Sequence, residues 1–223
     1  MSTKLTEAEA IAEIDAILSD FAGIAPPKLR PTTKLVGGKL YELYVLARAL
    51  QELASRGWYI YFRGSEVKFR ASPGDIHTGD PHFEIQSSAS GAVEFEVHTD
   101  VQVMTLGFAL KRVNDRSGYH EIDIVAVRAG TTGKPRHDQI ALGIECKSNA
   151  EFSKAHVREV LGRRRELSMY TGVDHLVPLA RNAVVSVKVD PPSEYWLRYI
   201  DSKGDNYSES PAVFGVDLQC WCP

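Results

Sequence analysis

The chain has 223 residues, 43% hydrophobic and 25% charged, the composition of a folded globular protein with room for one substantial core. Net charge is −3 and the pI is near 6.2, so bulk charge does not hold the chain on nucleic acid; such contact needs a local basic patch, an oligomer or a partner. No apolar run reaches membrane-spanning length, no basic-then-apolar secretion pattern opens the chain, and three cysteines make no disulfide framework. A reducing cytoplasm away from membranes is the expected setting.

Residues 5–22 read as a helix, with Thr6 as its cap, Glu9 completing a capping box, and Ile11, Ile14, Ile17, Leu18 and Phe21 at helical spacing. Residues 23–38 hold Pro26, Pro27 and Pro31 and read as an extended connector. The expected organisation is therefore an N-terminal helix with a Pro-rich connector over 1–37 and an α/β domain over 38–223. Lys39–Arg56 reads as a strong helix with an apolar stripe of Leu40, Leu43, Tyr44, Ala47, Leu50 and Leu53 or Ala54, ended by Gly57. Glu42 lies near its start, off the centre of the stripe, where it favours the positive end of the helix dipole.

Trp58–Phe62 is an aromatic strand and Glu66–Arg70 a second short one. The Asp75, His77, Asp80 and His82 cluster sits among Gly and Pro and reads as a solvated turn rather than a metal site. Phe83–Gln86 and Ala92–Met104 read as antiparallel strands, the second alternating so that Glu94 and Glu96 line a wet face. Phe108–Ser117, with Lys111, Arg112 and Arg116, reads as a basic loop.

Tyr119–Lys147 reads as a hairpin of two apolar strands joined by a Gly, Thr and Pro turn. The first strand carries Asp123; the second ends in Glu145-Cys146-Lys147. Residues two apart share a face, so Glu145 and Lys147 point together, and pairing of the strands brings Asp123 towards Glu145. Carboxylates gathered at one end of a sheet repel unless a cation lies between them, and hard oxygen ligands suit Mg²⁺ or Mn²⁺. Cys146 is a small packed hydrophobe whose backbone carbonyl is a further candidate ligand.

Glu151–Tyr170 reads as the most basic helix of the chain. Lys154, Arg158, Arg163, Arg164 and Arg165 offer a phosphate-binding face or, equally, an exposed face that offsets nearby acids. Phe152, Val157, Val160, Leu161, Leu167 and Met169 mark its buried side. Asn182–Val189 reads as a strand at the next sheet edge, and Glu194–Ile200 with Ala212–Leu218 as a C-terminal hairpin. Cys220 and Cys222 lack partner His or Cys residues, so a metal site there is not the favoured reading.

Asp123 followed by Glu145-x-Lys147, with aliphatic residues around both, resembles the active-site signature of the PD-(D/E)xK nuclease superfamily. Type II and methyl-directed restriction endonucleases and archaeal Holliday-junction resolvases belong to that superfamily. The likeness spans roughly residues 38–190: the Gly-x-x-Tyr-Glu helix, the hairpin and the basic helix. Glu121-Ile122 stands where family members carry Pro-Asp.

The resemblance implies a restriction-endonuclease-like fold: a central mixed sheet flanked by helices, with an extra N-terminal helix and C-terminal strands. It implies Mg²⁺-dependent, or Mn²⁺-dependent, hydrolysis of phosphodiester bonds, with DNA the expected substrate and RNA left open. Asp123 and Glu145 hold the metal in that scheme, joined by Glu42 and the Cys146 carbonyl, while Lys147 orients the attacking water and a 5′-phosphate is left. Restriction, repair or phage defence are the settings such proteins serve, as homodimers or as subunits of larger complexes. The rival expectation is a binding or assembly module that kept the fold and lost turnover.

Overall fold

A computed structural model describes residues 6–21, 28–29, 37–67, 69, 72–111, 116–148, 151–172 and 188–222. The first helix, α1 (Glu7–Ser19), starts at Thr6, whose hydroxyl accepts from the Glu9 amide while the Glu9 carboxylate accepts from the Thr6 amide. The predicted capping box is thus present. Ile14, Ile17, Leu18 and Phe21 bury against α2 (Gly37–Ser55), so α1 shares one core with that helix and the central sheet. A two-residue strand, β1 (Lys28–Leu29), lies between the helices.

The apolar surface of α2 is wider than the expected stripe. Tyr41, Val45, Leu46 and Ala49 are buried together with Leu43, Tyr44, Ala47, Leu50 and Leu53, because α1 covers one flank and the sheet the other. Gly57 comes next with φ 88°, a left-handed conformation that costs glycine little, and its amide closes the last turn on the Ala54 carbonyl.

After α2 the chain forms β2 (Tyr59–Arg63), the short β3 (Glu66–Val67), β4 (His82–Gln86) and β5 (Val93–Met104). The short helix α3 (Leu106–Lys111) leads to β6 (Tyr119–Arg128) and β7 (Ile140–Lys147). Beyond α4 (Lys154–Leu167) come β8 (Met169–Gly172), β9 (Lys188–Asp190), β10 (Glu194–Tyr199) and β11 (Val216–Cys220). A seven-stranded mixed sheet runs β11-β10-β7-β6-β5-β4-β2. Its β2 to β7 half is antiparallel; β7, β10 and β11 are parallel. Helices α1 and α2 bury one face with Phe83, Ile85, Phe95 and Ile144, while α4 covers the other with Val101, Val103, Val125 and Leu197. The chain is therefore a mixed α/β fold with helices on both faces of one sheet.

Four expectations change. Strands β10 and β11 extend the sheet, but side by side in the same direction rather than as a hairpin. The chain between them crosses over through a 3₁₀ turn (Ser202–Tyr207) and the short helix α5 (Glu209–Ala212), which leaves no tight reversal. The described part of the predicted 182–189 strand, Lys188–Val189, pairs with β8 in a separate two-stranded ribbon and not with the central sheet; residues 182–187 lie outside the described residues. Met169, expected on the buried side of a helix, heads β8 and is 58% exposed. The expected basic loop contains α3 and a 3₁₀ turn at Arg116–Gly118; Arg112 lies outside the described residues.

Candidate functional site

The β6–β7 ladder pairs Ile124 with Ile144 and Val125 with Gly143. One step further, that register sets Asp123 across from Glu145. The Cys146 amide donates to Asp123 Oδ2 at 2.7 Å, tying the first acid to the second strand. Lys147 Nζ lies 3.8 Å from Glu145 Oε2 and 3.5 Å from Glu159 Oε1 on α4. The two acids and the amine of the sequence motif therefore meet where the β6–β7 pairing stops.

Glu42 joins them from α2. Its carboxyl is pushed up to about 7 by burial first, opposed by the Lys39 hydrogen bond and raised again by the negative charge of Asp123. Glu145, 1% exposed at its side chain, is likewise pushed up to about 7, by burial and then by Asp123, against the pull of Arg163 and Lys147. Asp123 is raised by burial, with the Cys146 amide, Lys147, Lys39 and Arg163 acting the other way. The Cys146 thiol, packed against the α2-side core, is held high by burial and by Asp123, Glu42 and Glu145 together. Glu42, Glu145 and Cys146 thus report one concentration of negative charge around Asp123.

Three residues of the cluster were not foreseen. Asp100 on β5 is 1% exposed and forms an ion pair with Lys39 at 2.5 Å; Lys39 also holds Glu42 at 2.6 Å. The Tyr195 hydroxyl on β10 donates to Glu145 Oε1 at 2.9 Å. The expected unbroken alternation along β5 concealed Asp100. Phe95 and Val97 face α2, whereas Val101 and Val103, at the same parity, face α4, so the strand switches face between them. Asp100 sits at the switch with φ 54°. The loop expected to be a solvated turn holds it there: the Gly74 amide donates to the Asp100 carbonyl at 3.0 Å, and Ile76 is buried.

The basic helix divides in two. Lys154, Arg158 and Arg165 are exposed. Arg163 instead turns inward, paired with Glu145 and, at 2.7 Å, with Glu159. Arg164 is 4% exposed and donates to Ser193 Oγ, the Ser193 carbonyl and the Phe214 carbonyl. Its guanidinium, brought down to about 10 by burial, is committed to the interior and does not face a phosphate. The 3.6-residue period that buries Val157 and Val160 carries position 164 to the same side.

The donor chemistry fits a hard divalent cation: carboxylates of α2, β5, β6 and β7 gather where burial makes their charge costly. Among the described residues, no group of three or more His, Cys, Asp or Glu side chains is placed to hold a metal ion. Lys39 and Arg163 occupy carboxylate oxygens instead. At the far edge Cys220 and Cys222 are free thiols with sulfurs 2.9 Å apart. Among the described residues no helix is long and apolar enough to cross a membrane.

Comparison with protein-family models, with curated proteins and with solved structures gives no match.

Proposed function

We propose that the protein is a metal-dependent endonuclease of the PD-(D/E)xK kind, built on a restriction-endonuclease-like sheet and acting on DNA. The observation that carries this reading is the convergence of Asp123, Glu145 and Lys147 on adjacent paired strands, with Glu42 beside them. Perturbed pKa values cluster at functional sites, and a buried ion pair is weak evidence for stability.

Asp123 and Glu145 would hold a Mg²⁺ or Mn²⁺ ion, with Glu42 and the Cys146 carbonyl as further candidates. A bound divalent cation supplies polarisation of the phosphate and a water of lowered pKa. Lys147 holds the attacking water in line and donates to the phosphate oxygens as their charge grows. Tyr195 fixes the Glu145 carboxylate by donating a hydrogen bond to Oε1, which leaves Oε2 to Arg163 and, at 3.8 Å, Lys147. Exposed Lys154, Arg158 and Arg165 on α4 would track the phosphate backbone, which offsets the acidic pI locally.

A second reading has its own observation. Arg163 and Tyr195 both engage Glu145, an arrangement suited to a nuclease-fold binding or assembly module without turnover. Digestion of plasmid and single-stranded DNA with Mg²⁺, Mn²⁺ and EDTA, beside calorimetric metal titration, separates the two. Metal-dependent cleavage abolished in Asp123→Ala supports the nuclease; a protein that neither binds metal nor cuts leaves the module.

A further inference from the structure

We propose that Cys220 and Cys222 form a thiol–disulfide exchange site, at which the Cys222 thiolate attacks a small disulfide such as oxidised glutathione and Cys220 then closes an internal disulfide. The pair lies at the end of the edge strand β11, and its chemistry needs neither a metal nor cleavage of DNA.

Residues two apart on a strand point to one side, and here the two sulfurs lie 2.9 Å apart. The backbone that carries them is pinned in place. The Trp221 amide donates to the Tyr199 carbonyl at 2.9 Å, which continues the β10–β11 ladder past its last paired residue. The Trp221 ring stacks on the Arg198 guanidinium at 4.3 Å and packs on the α2-side core, while Cys220 leans on the α4-side core. The Cys222 thiol donates to the Ile200 carbonyl at 3.2 Å, and the Cys222 carbonyl accepts from the Tyr44 hydroxyl at 3.5 Å. Thiols held at contact in this way make the ring-closing step intramolecular and well oriented.

Burial sets the order of attack. Cys222 is exposed, whereas Cys220 is half-buried. Burial first, and then the Cys222 thiol beside it, push Cys220 up to about 12, so it keeps its proton until a partner sulfur is next to it. In the first step the Cys222 sulfur bonds to one sulfur of the small disulfide and releases the other as a thiolate. In the second, Cys220 loses its proton, attacks Cys222 Sγ and releases the remaining small thiol. The two protein protons end on the two released thiols, and the two electrons lost by the protein reduce one small disulfide. With only Trp221 between the cysteines, the ring constrains the unfolded chain very little, so the bond adds little stability and reopens readily. The pair is suited to exchange and not to stapling the fold.

The test uses the full chain, reduced with dithiothreitol, desalted under argon and incubated with oxidised glutathione, with the products mapped by peptide mass spectrometry. In the wild type, Cys220 and Cys222 should be joined to each other, and dithiothreitol should restore both thiols. Cys220→Ser should stop after the first step and carry glutathione on Cys222 at about tenfold or more the wild-type level. Cys222→Ser should take up glutathione at Cys220 several times more slowly than Cys220→Ser does at Cys222. The wild-type map needs no variant and decides the matter by itself. A lasting glutathione adduct on wild-type Cys222, disulfides formed only between chains, or equal uptake by the two variants overturns the exchange site.

Discussion

Asp100 stands across from Asp123 in the β5–β6 ladder, both at the point where their strands change face. Ile122 packs on the α4 side and Ile124 on the α2 side, the same switch that separates Val97 from Val101. The switch leaves both acids off the two apolar faces. Asp100→Asn should keep it, because Asn tolerates the left-handed backbone. Asp100→Val should lose about 2 kcal/mol or more, because a β-branched side chain at φ 54° is strained and the Lys39 partner is gone. Chemical denaturation of both variants measures the difference; equal stability would show that the backbone there is ordinary.

The three motif residues should separate activity from folding. Asp123→Ala, Glu145→Ala and Lys147→Ala should each lower cleavage by roughly a hundredfold or more, the scale of losing one charge-stabilising group. Far-UV circular dichroism should stay that of the wild type. Removing Glu145 also removes a buried carboxyl whose charged form is disfavoured, and Arg163 keeps Glu159. Full cleavage by any one purified variant rejects the assignment.

Substitutions on α4 should fall into two classes. Arg164→Met should cost about 2–4 kcal/mol, since the Ser193 and Phe214 groups it serves lose a charged donor in the interior. Lys154→Ala, Arg158→Ala and Arg165→Ala should leave stability within about 0.5 kcal/mol and weaken DNA binding, each reducing the salt dependence of affinity by about one counter-ion. Binding measured across a salt series, paired with thermal melts, reads both effects. Unaltered salt dependence in all three exposed variants removes this face from the binding surface.

The hairpin, the two long helices and the meeting of Asp123, Glu145 and Lys147 were legible because period and spacing are local signals. Asp100 was not: a strand that switches face without a register shift keeps its parity in the sequence, so the switch leaves no mark in the alternation. Lys39 and Tyr195 were missed for a different reason. Each reaches the cluster from elsewhere in the chain, 61 residues from Asp100 in the first case and 50 from Glu145 in the second. The inward turn of Arg164 was in principle readable, since it falls on the helical stripe with Val157 and Val160; its charge outweighed its phase. The parallel pairing of β10 with β11 depends on a crossover whose short helical turns carry little periodicity.

Gly143 gives a test of the Glu145 surroundings that touches no charge. A Cβ there would lie 2.7 Å from Cε2 and 3.0 Å from Cδ2 of Tyr195, a ring 1% exposed with little freedom to move aside. Gly143→Ala should therefore cost about 1–3 kcal/mol and push the Tyr195 hydroxyl off Glu145. Tyr195→Phe removes the same hydrogen bond without the clash. Both variants should lower cleavage, but only the glycine substitution should shift the melting temperature by several degrees. A Gly143→Ala protein as stable as the wild type would mean that the sheet opens there more easily than its packing suggests.

His98 should set the acid side of the stability curve. It is 5% exposed on β5, faces the His82 ring of β4 at 5.2 Å, and lies near Glu96 and Asp80. Burial first and then the His82 charge bring it down to about 4, against the opposing pull of Glu96 and Asp80. The folded imidazole thus stays neutral while the unfolded one gains a proton near pH 6.5. Below that pH the unfolded chain binds the extra proton, so this group's effect on stability is absent above about 6.5 and grows as a loss until about 4. The full loss is on the order of 3 kcal/mol. His98→Phe, which keeps an aromatic ring beside His82, should flatten the fall in stability between pH 6.5 and 4 measured by denaturant titration. An unchanged slope in that variant would assign the acid sensitivity to other groups.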